Sequence, residues 1–318
     1  MNTTDMLAQL RLNCQIEDGA VDYPDSVLLR EMSDALTTKF QDTIVGFRNG
    51  IWLTSYYDAC VAGKKSYRIR QSSTVLSKVE IGIGSTSSLS TIDFSRLVKL
   101  EEGHTDLFEG AKSTTGTPVY YAIRGGDIVL FPTPDSTGFV LRVSHYRKPS
   151  TLTPAQPLAY GNVNSVNAST AQIGVAVLPF DYSDPLNPVA VGGTVRIDIV
   201  RTDGWFEPIV GDVQATVSGT TFTIITPCVL DSVVAGDRVR VYGQSEWPVL
   251  PVDFHRCVVD VASSKILIQR GYQQKAANFA GDVTADLTRF ENLYGNLVRE
   301  ETRKIRAPLN VLRRARLR

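Results

Sequence analysis

Gly116-Thr-Pro118-Val-Tyr120-Tyr121-Ala-Ile123-Arg-Gly125-Gly126-Asp127-Ile128-Val-Leu130-Phe-Pro132-Thr-Pro134-Asp135 divides the chain into two parts that differ in kind. It reads as a strand from Tyr120 to Arg124, a tight turn on Gly125-Gly126-Asp127 and a second strand from Ile128 to Phe131. Paired glycines between two short apolar runs signal a hairpin, because a two-residue turn needs positive φ. Pro132 and Pro134 then interrupt pairing, since proline has no N–H for a ladder. Gly138 to Tyr146 is a third apolar run, so a three-strand meander is expected.

Before this stretch the pattern is helical. Met6, Leu7, Leu10 and Cys14 share one face of a helix that Thr3 or Thr4 would start and Gly19 would stop. Pro24-Asp25 opens a longer helix, where Leu28, Met32, Leu36, Phe40, Ile44 and Phe47 recur at steps of four or three and Asn49-Gly50 ends it. Ile51 to Arg70 is mixed, with a strand expected at Ser66–Arg70. Another is expected at Leu76–Ile81, then a Gly/Ser/Thr loop from Gly82 to Ser90.

After Pro149 the chain turns to short strands. Val195, Ile197 and Ile199 alternate with Arg196 and Asp198, Ser218-Gly219 turns Val213–Val217 into Thr221–Thr226, and Gly236-Asp237 leads into Arg238–Tyr242. Such spacing predicts a small β-sandwich or barrel. Helical periodicity returns with Phe254, Val258, Val261, Ala262 and Ile266, stopped by Gly271. A second stripe runs through Phe279, Val283, Leu287, Phe290, Tyr294 and Leu297 to about Arg306, with Pro308 as its stop. The expected fold is α+β: a helical bundle from both chain ends with a β meander, plus the inserted β module. The implied divisions are residues 1–157 (amino-terminal helices and meander), 158–250 (β module), 251–307 (carboxyl-terminal helices) and 308–318 (basic arm).

The 318 residues carry zero formal net charge, with 43% hydrophobic and 21% charged side chains, a soluble globular composition with no global basic field. Four scattered cysteines (Cys14, Cys60, Cys228, Cys257) lack a CxxC and read as buried thiols of a reducing cytoplasm. No apolar run reaches the roughly 18 residues of a membrane span, and the amino terminus lacks a basic signal region. A soluble chain made in a host cytoplasm is therefore expected, without a membrane partner.

No coherent catalytic or metal set emerges, and no enzyme and no cofactor are expected. His104, His145 and His255 are scattered without metal-ligand spacing. Gly63-Lys64-Lys65-Ser66 lacks the upstream glycine of a phosphate loop, since position 58 is Asp58, and strand rather than helix follows. Gly82-Ile83-Gly84 lacks its third glycine. Asp181 and Asp184 could hold calcium, though a two-acid turn is more often plain surface. Glu101-Glu102 and Glu300-Glu301 read as solvated, and no G-x-S-x-G elbow is present.

The carboxyl terminus stands apart. Arg303, Lys304 and Arg306 suit the end of a helix, where the dipole favours cations. Beyond them Leu309, Val311, Leu312, Arg313, Arg314, Arg316, Leu317 and Arg318 interleave arginine with aliphatics. That pattern fits docking into an acidic groove on a partner better than a frayed tail or a contact to nucleic-acid phosphates.

The ordered set Gly116-x-Pro118-x-x-Tyr121-x-Ile123-x-Gly125, Ile128-x-Leu130-x-Pro132-x-Pro134 and Tyr146-Arg147-x-Pro149-x-x-Leu152 resembles the head-to-tail adaptor proteins of tailed bacteriophages. So does the order of elements, two helices, a meander and a helical pair introduced by Leu250-Pro251-Val-Asp-Phe254-His255, over residues 1–155 and 250–318. Residues 158–248 depart from the minimal pattern. The resemblance implies a structural virion protein of the neck between capsid and tail: a ring, typically of twelve copies, beneath the portal. It would meet a tail tube or nozzle protein and line a channel for double-stranded DNA without reading its sequence. It also implies a portal-docking role for Leu309 to Arg318, with Arg303, Lys304 and Arg306 at the arm's base. The alternative is a tail-surface or sugar-binding virion protein whose activity lies in the β module.

Overall fold

The computed structural model describes residues 1–47, 52–70, 73–86, 89–101, 115–155, 161–178, 193–202 and 208–314, with 46, 47, 208 and 294–314 described by backbone alone. Helices and sheets are both present, as the α+β expectation requires.

Helix α1 spans Thr3–Cys14. Its cap is Asn2 rather than a threonine: the Asn2 side chain accepts the Asp5 N–H at 2.9 Å, filling one of the orphan donors of the first turn. The helix stops at Cys14, before Gly19, because Gln15 turns to φ 54° and its N–H returns to the Arg11 and Leu12 carbonyls. Helix α2 (Asp25–Ala35) continues through a π segment, Leu36–Phe40, into α3 (Gln41–Phe47). The π segment explains the apolar stripe. A step of four advances about 40° too far at 3.6 residues per turn, so a plain helix would rotate Ile44 away from Leu28. The wider turn, closed by the Gln41 N–H on the Leu36 carbonyl, takes up that drift. Leu28, Met32, Leu36, Phe40 and Ile44 are all buried. The side chain of Phe47 and the stop at Asn49-Gly50 lie outside the described residues.

At the other end, Pro251 opens a 3-10 turn (Val252–Phe254) that leads into α4 (His255–Gln269). Gly271, at φ 84°, reverses the chain into α5 (Gln273–Arg314). Phe254 and Phe290 meet edge to face at 4.9 Å, and one apolar core gathers residues of α1, α2, the π segment, α3, α4 and α5. Pro308 does not end α5, which continues to Arg314. An interior proline removes one backbone donor and crowds one carbonyl at a cost of about 3 kcal/mol; it interrupts the ladder at one point. The flanking Ala307, Leu309 and Leu312 are good helix formers.

Among the described residues the strands that follow α3 begin with β1 (Leu53–Ala59), β2 (Ser66–Arg68), β3 (Ser73–Ile83), β4 (Phe94–Arg96), β5 (Val98–Lys99), β6 (Tyr120–Arg124), β7 (Asp127–Phe131) and β8 (Phe139–Arg147). They form two four-stranded sheets, ordered β1-β8-β3-β4 and β2-β7-β6-β5, whose facing sides share one apolar core. The β6–β7 hairpin has the expected turn, with Gly125 at φ 56° and Gly126 at φ 87°. The meander does not form. Both edges of β7 are taken, by β2 and β6, so β8 crosses to the other sheet and pairs between β1 and β3. The loop expected from Gly82 begins later, because Gly82 pairs with Val140 and has no room for a side chain against Ile92.

A short β9 (Thr151–Leu152) pairs in parallel with β16 (Gln244–Ser245). Between them lie β10 (Val163–Asn167), β11 (Gln172–Val175), β12 (Thr194–Val200), β13 (Pro208–Ser218), β14 (Thr221–Ile224) and β15 (Arg238–Val241), in one sheet ordered β10-β11-β14-β13-β12-β15. Its two edges meet: the Val163 N–H reaches the Asp237 carbonyl at 2.8 Å, and the Val239 N–H reaches that of Gly161 at 2.7 Å. The sheet thus closes on itself around Ile173, Ile197, Ala215, Phe222 and Val239, all completely buried. Closure removes the exposed edges that an open sheet would offer for aggregation.

Candidate functional site

A charged seam lies where the sandwich of β1–β8 meets the barrel of β10–β15. Thr54 and Tyr56 of β1 stand opposite His145 and Val143 of β8, and Arg147 ends β8 pointing at the barrel. Its guanidinium donates to Asp198 Oδ2 and to Ser150 Oγ, both at 2.8 Å, with Arg147 and Asp198 6% and 1% exposed. Asp198 also accepts the Asp212 N–H at 2.8 Å and the Gly243 N–H at 3.3 Å. Opposite-charge pairing plus backbone donors is what a buried carboxylate requires.

A local distortion of β13 builds this seam. The β12–β13 register shifts after Ile197, and Asp212 adopts φ 57°, the left-handed region in which asparagine and aspartate are the least strained side chains. The turned backbone presents the Asp212 N–H to Asp198 and its carbonyl to Arg70 at 3.0 Å. Beside it, a Cβ on Gly211 would lie 3.3 Å from Arg147 Nη1, so glycine permits the close approach. Arg196 pairs with the Asp212 carboxylate and Arg70 with Asp58 at 3.6 Å. A cleft of about 460 Å³ opens along this row, lined by Asp58, Arg70, Arg196, Asp212, Gln214 and Thr226.

A second buried ion cluster joins the barrel to the helices. Arg238 and Arg240 of β15 lie 3.2 and 3.1 Å from Glu246, and both stack on Trp247. Burial lowers the Arg240 pKa to about 10, against the pull of Glu246. The Glu246 carbonyl accepts the Thr3 N–H at 2.9 Å, Trp52 donates to the Val249 carbonyl, and the Leu152 N–H reaches Ser33 Oγ at 2.9 Å. His255, fully buried, lies 2.9 Å from the Leu250 carbonyl through Nε2 and 3.0 Å from that of Met1 through Nδ1. Desolvation lowers its pKa.

Residues 1–186 match the model of the family described as SU10 adaptor protein. The chain belongs to the SU10 adaptor protein family, a family of phage head-to-tail adaptors. The match takes in α1 to α3, the whole sandwich and the first two barrel strands, and leaves α4 and α5 outside. No curated protein matches the chain. The family is structural rather than enzymatic.

In this adaptor Arg303, Lys304, Arg306, Leu309, Val311, Leu312, Arg313 and Arg314 all lie on α5; Arg316, Leu317 and Arg318 lie outside the described residues. His104 and the acidic turn Asp181–Asp184 also lie outside them. Among the described residues no cluster of three or more His, Cys, Asp or Glu could hold a metal, and no helix is long and apolar enough to cross a membrane. Gly63 is a turn at φ 77° and Gly82 belongs to β3, so neither glycine motif cradles phosphate. The four cysteines are free thiols. Sequence assigns no site role to the seam residues Arg70, Arg147, Asp198 and Asp212, although Arg147 belongs to the Tyr146-Arg147-x-Pro149 motif and Asp198 to the alternation of β12. A charged residue at an alternate position of an apolar strand, as at Asp198, normally marks a solvent face.

Proposed function

We propose that this adaptor is the repeating subunit of a ring beneath the portal, joining capsid to tail and lining the passage for double-stranded DNA. The observation that carries the reading is the reach of α5. At 1.5 Å per residue its 42 residues extend about 63 Å. The last of its described side chains in the bundle core is Phe290. About 36 Å of helix follows; its first turns are mixed and carry Glu291, Glu300 and Glu301, and from Arg303 onward cations are interleaved with aliphatics. In this reading Leu309 to Arg318 dock on the portal and Arg303, Lys304 and Arg306 form the base of the arm. Other copies of the chain flank each subunit, and the tail tube or nozzle protein meets the opposite end. The work is stoichiometric assembly, in which a rigid body presents fixed surfaces above and below.

Truncation after Ala307 tests this. The last described core side chain of α5, Phe290, lies upstream of the cut, so the shortened chain is expected to keep its melting temperature and to lose co-sedimentation with the portal protein. Undiminished co-sedimentation of the truncated chain would refute the docking role.

A further inference from the structure

His145 is the seam's anomaly. It sits on β8 between Val143, in the sandwich core, and Arg147, which crosses to the barrel. It is 2% exposed, and neither ring nitrogen has a hydrogen-bond partner among the described residues. The same holds for the neighbouring Tyr56 hydroxyl, whose ring meets the imidazole edge-on at 5.4 Å. An unpartnered imidazole is tolerated in such a place only while it is neutral.

The charges around it come from every side. Arg70, between β2 and β3, lies 4.4 Å from the Tyr56 ring centroid. Arg147 is on His145's own strand, β1 supplies Asp58, β13 supplies Asp212, and β12 supplies Asp198 and Arg196. Leu76 of β3, directly opposite His145, is uncharged. Arg70, Arg147 and Arg196 each pair with a carboxylate of the seam, and Lys64 adds further positive charge near Asp58. A proton on His145 adds a further positive charge, and with the imidazole 2% exposed water screens it poorly.

We propose that the seam is an acid-released latch: protonation of His145 frees the barrel from the sandwich while each keeps its own apolar core. The seam is polar and the two cores are separate clusters, so a disruption confined to the seam exposes little of either. Burial, the largest influence, lowers the His145 pKa from 6.5 to about 4; the Val143 backbone and Asp212 oppose the shift, and Arg70 and Arg147 add to it. The closed seam thus binds the proton less well than the open one. Closure is favoured above the ordinary histidine value and weakens as pH falls from there towards the depressed one. Between about pH 8 and about pH 5 the opening equilibrium rises about thirty-fold.

Hydrogen exchange on the full-length chain, corrected for the intrinsic pH dependence of exchange, reads this opening. The Asp212 and Gly243 amides both donate to Asp198 and report the seam; the Val175 and Ile224 amides, which donate to the Thr220 and Ala171 carbonyls, report the barrel ladder. The latch predicts about thirty-fold greater opening at the seam amides at the lower pH, an unchanged ladder, and no seam response in His145→Gln. A response retained in His145→Gln would assign the release to the carboxylates and overturn the proposal. So would ladder and seam opening together, or an unresponsive wild type. Should His145→Gln fail to fold, the wild type still decides, because the His145 ring resonance must titrate along the same curve as seam opening. Separate curves reject the latch.

Discussion

The sandwich and the barrel are both β modules built on alternating strands, but their outer faces differ. Lys78 and Arg142 on the outer face of the sandwich remain partly exposed around Glu80, and Arg68 at its edge is 78% exposed in its pair with Asp127. On the barrel, the outward positions of β12 and β15 carry Asp198, Arg238 and Arg240, each under 5% exposed. The sandwich is finished in water, whereas the barrel is finished by what it docks on. These outward charges are paired in buried contacts, Asp198 with Arg147 of β8 and Arg238 and Arg240 with Glu246 just after β16. The barrel is thus an integral part of the adaptor body. Excising 158–248 would strand Arg147 and remove Glu246, so that deletion cannot separate an adaptor from a sugar-binding protein cleanly.

This contrast breaks if the barrel unfolds independently. Phe222 fills the barrel and Phe290 the helical core, and both are fully buried. Truncating either to alanine is expected to cost about 3–5 kcal/mol. If the modules are one body, calorimetry will show a single transition lowered by either change. A separate early transition in Phe222→Ala alone would show a detachable barrel. Arg147→Met is next in size. It leaves Asp198 buried with only backbone donors, and a loss of about 3 kcal/mol in denaturant unfolding is expected. Arg68→Met at the exposed pair should cost less than about 1 kcal/mol, and equal losses would erase the distinction between seam and surface. Gly211→Ala sharpens the picture further: a methyl group pressed against Arg147 should cost about 1–3 kcal/mol, and a neutral result would mean that the two modules approach less closely.

The apolar part of this fold was legible in the sequence because periodicity reports which face is buried. Met6 to Cys14, Leu28 to Ile44 and the alternation at Val195 to Ile199 all became core. The Gly125-Gly126 turn was legible because only glycine adopts its φ values at low cost. The pairing of β8 was not, since a strand carries no mark of its partner, and adjacency in sequence favoured a meander that the occupied edges of β7 forbid. Leu53 to Ala59 was not recognised as a strand: it mixes exposed and half-buried positions around a buried Tyr56. Pro308 read as a stop because a local rule was applied to a helix that passes through it. The seam was invisible for a different reason. Asp198 and Arg147 are far apart in the chain, and a charge on an alternating strand looks the same whether it faces water or a buried partner.

Negative-stain imaging of the full-length protein mixed with portal protein decides whether this chain forms a ring joined to the portal. A closed ring seated coaxially on the portal is expected. Portal particles left bare beside unassembled adaptor would contradict it.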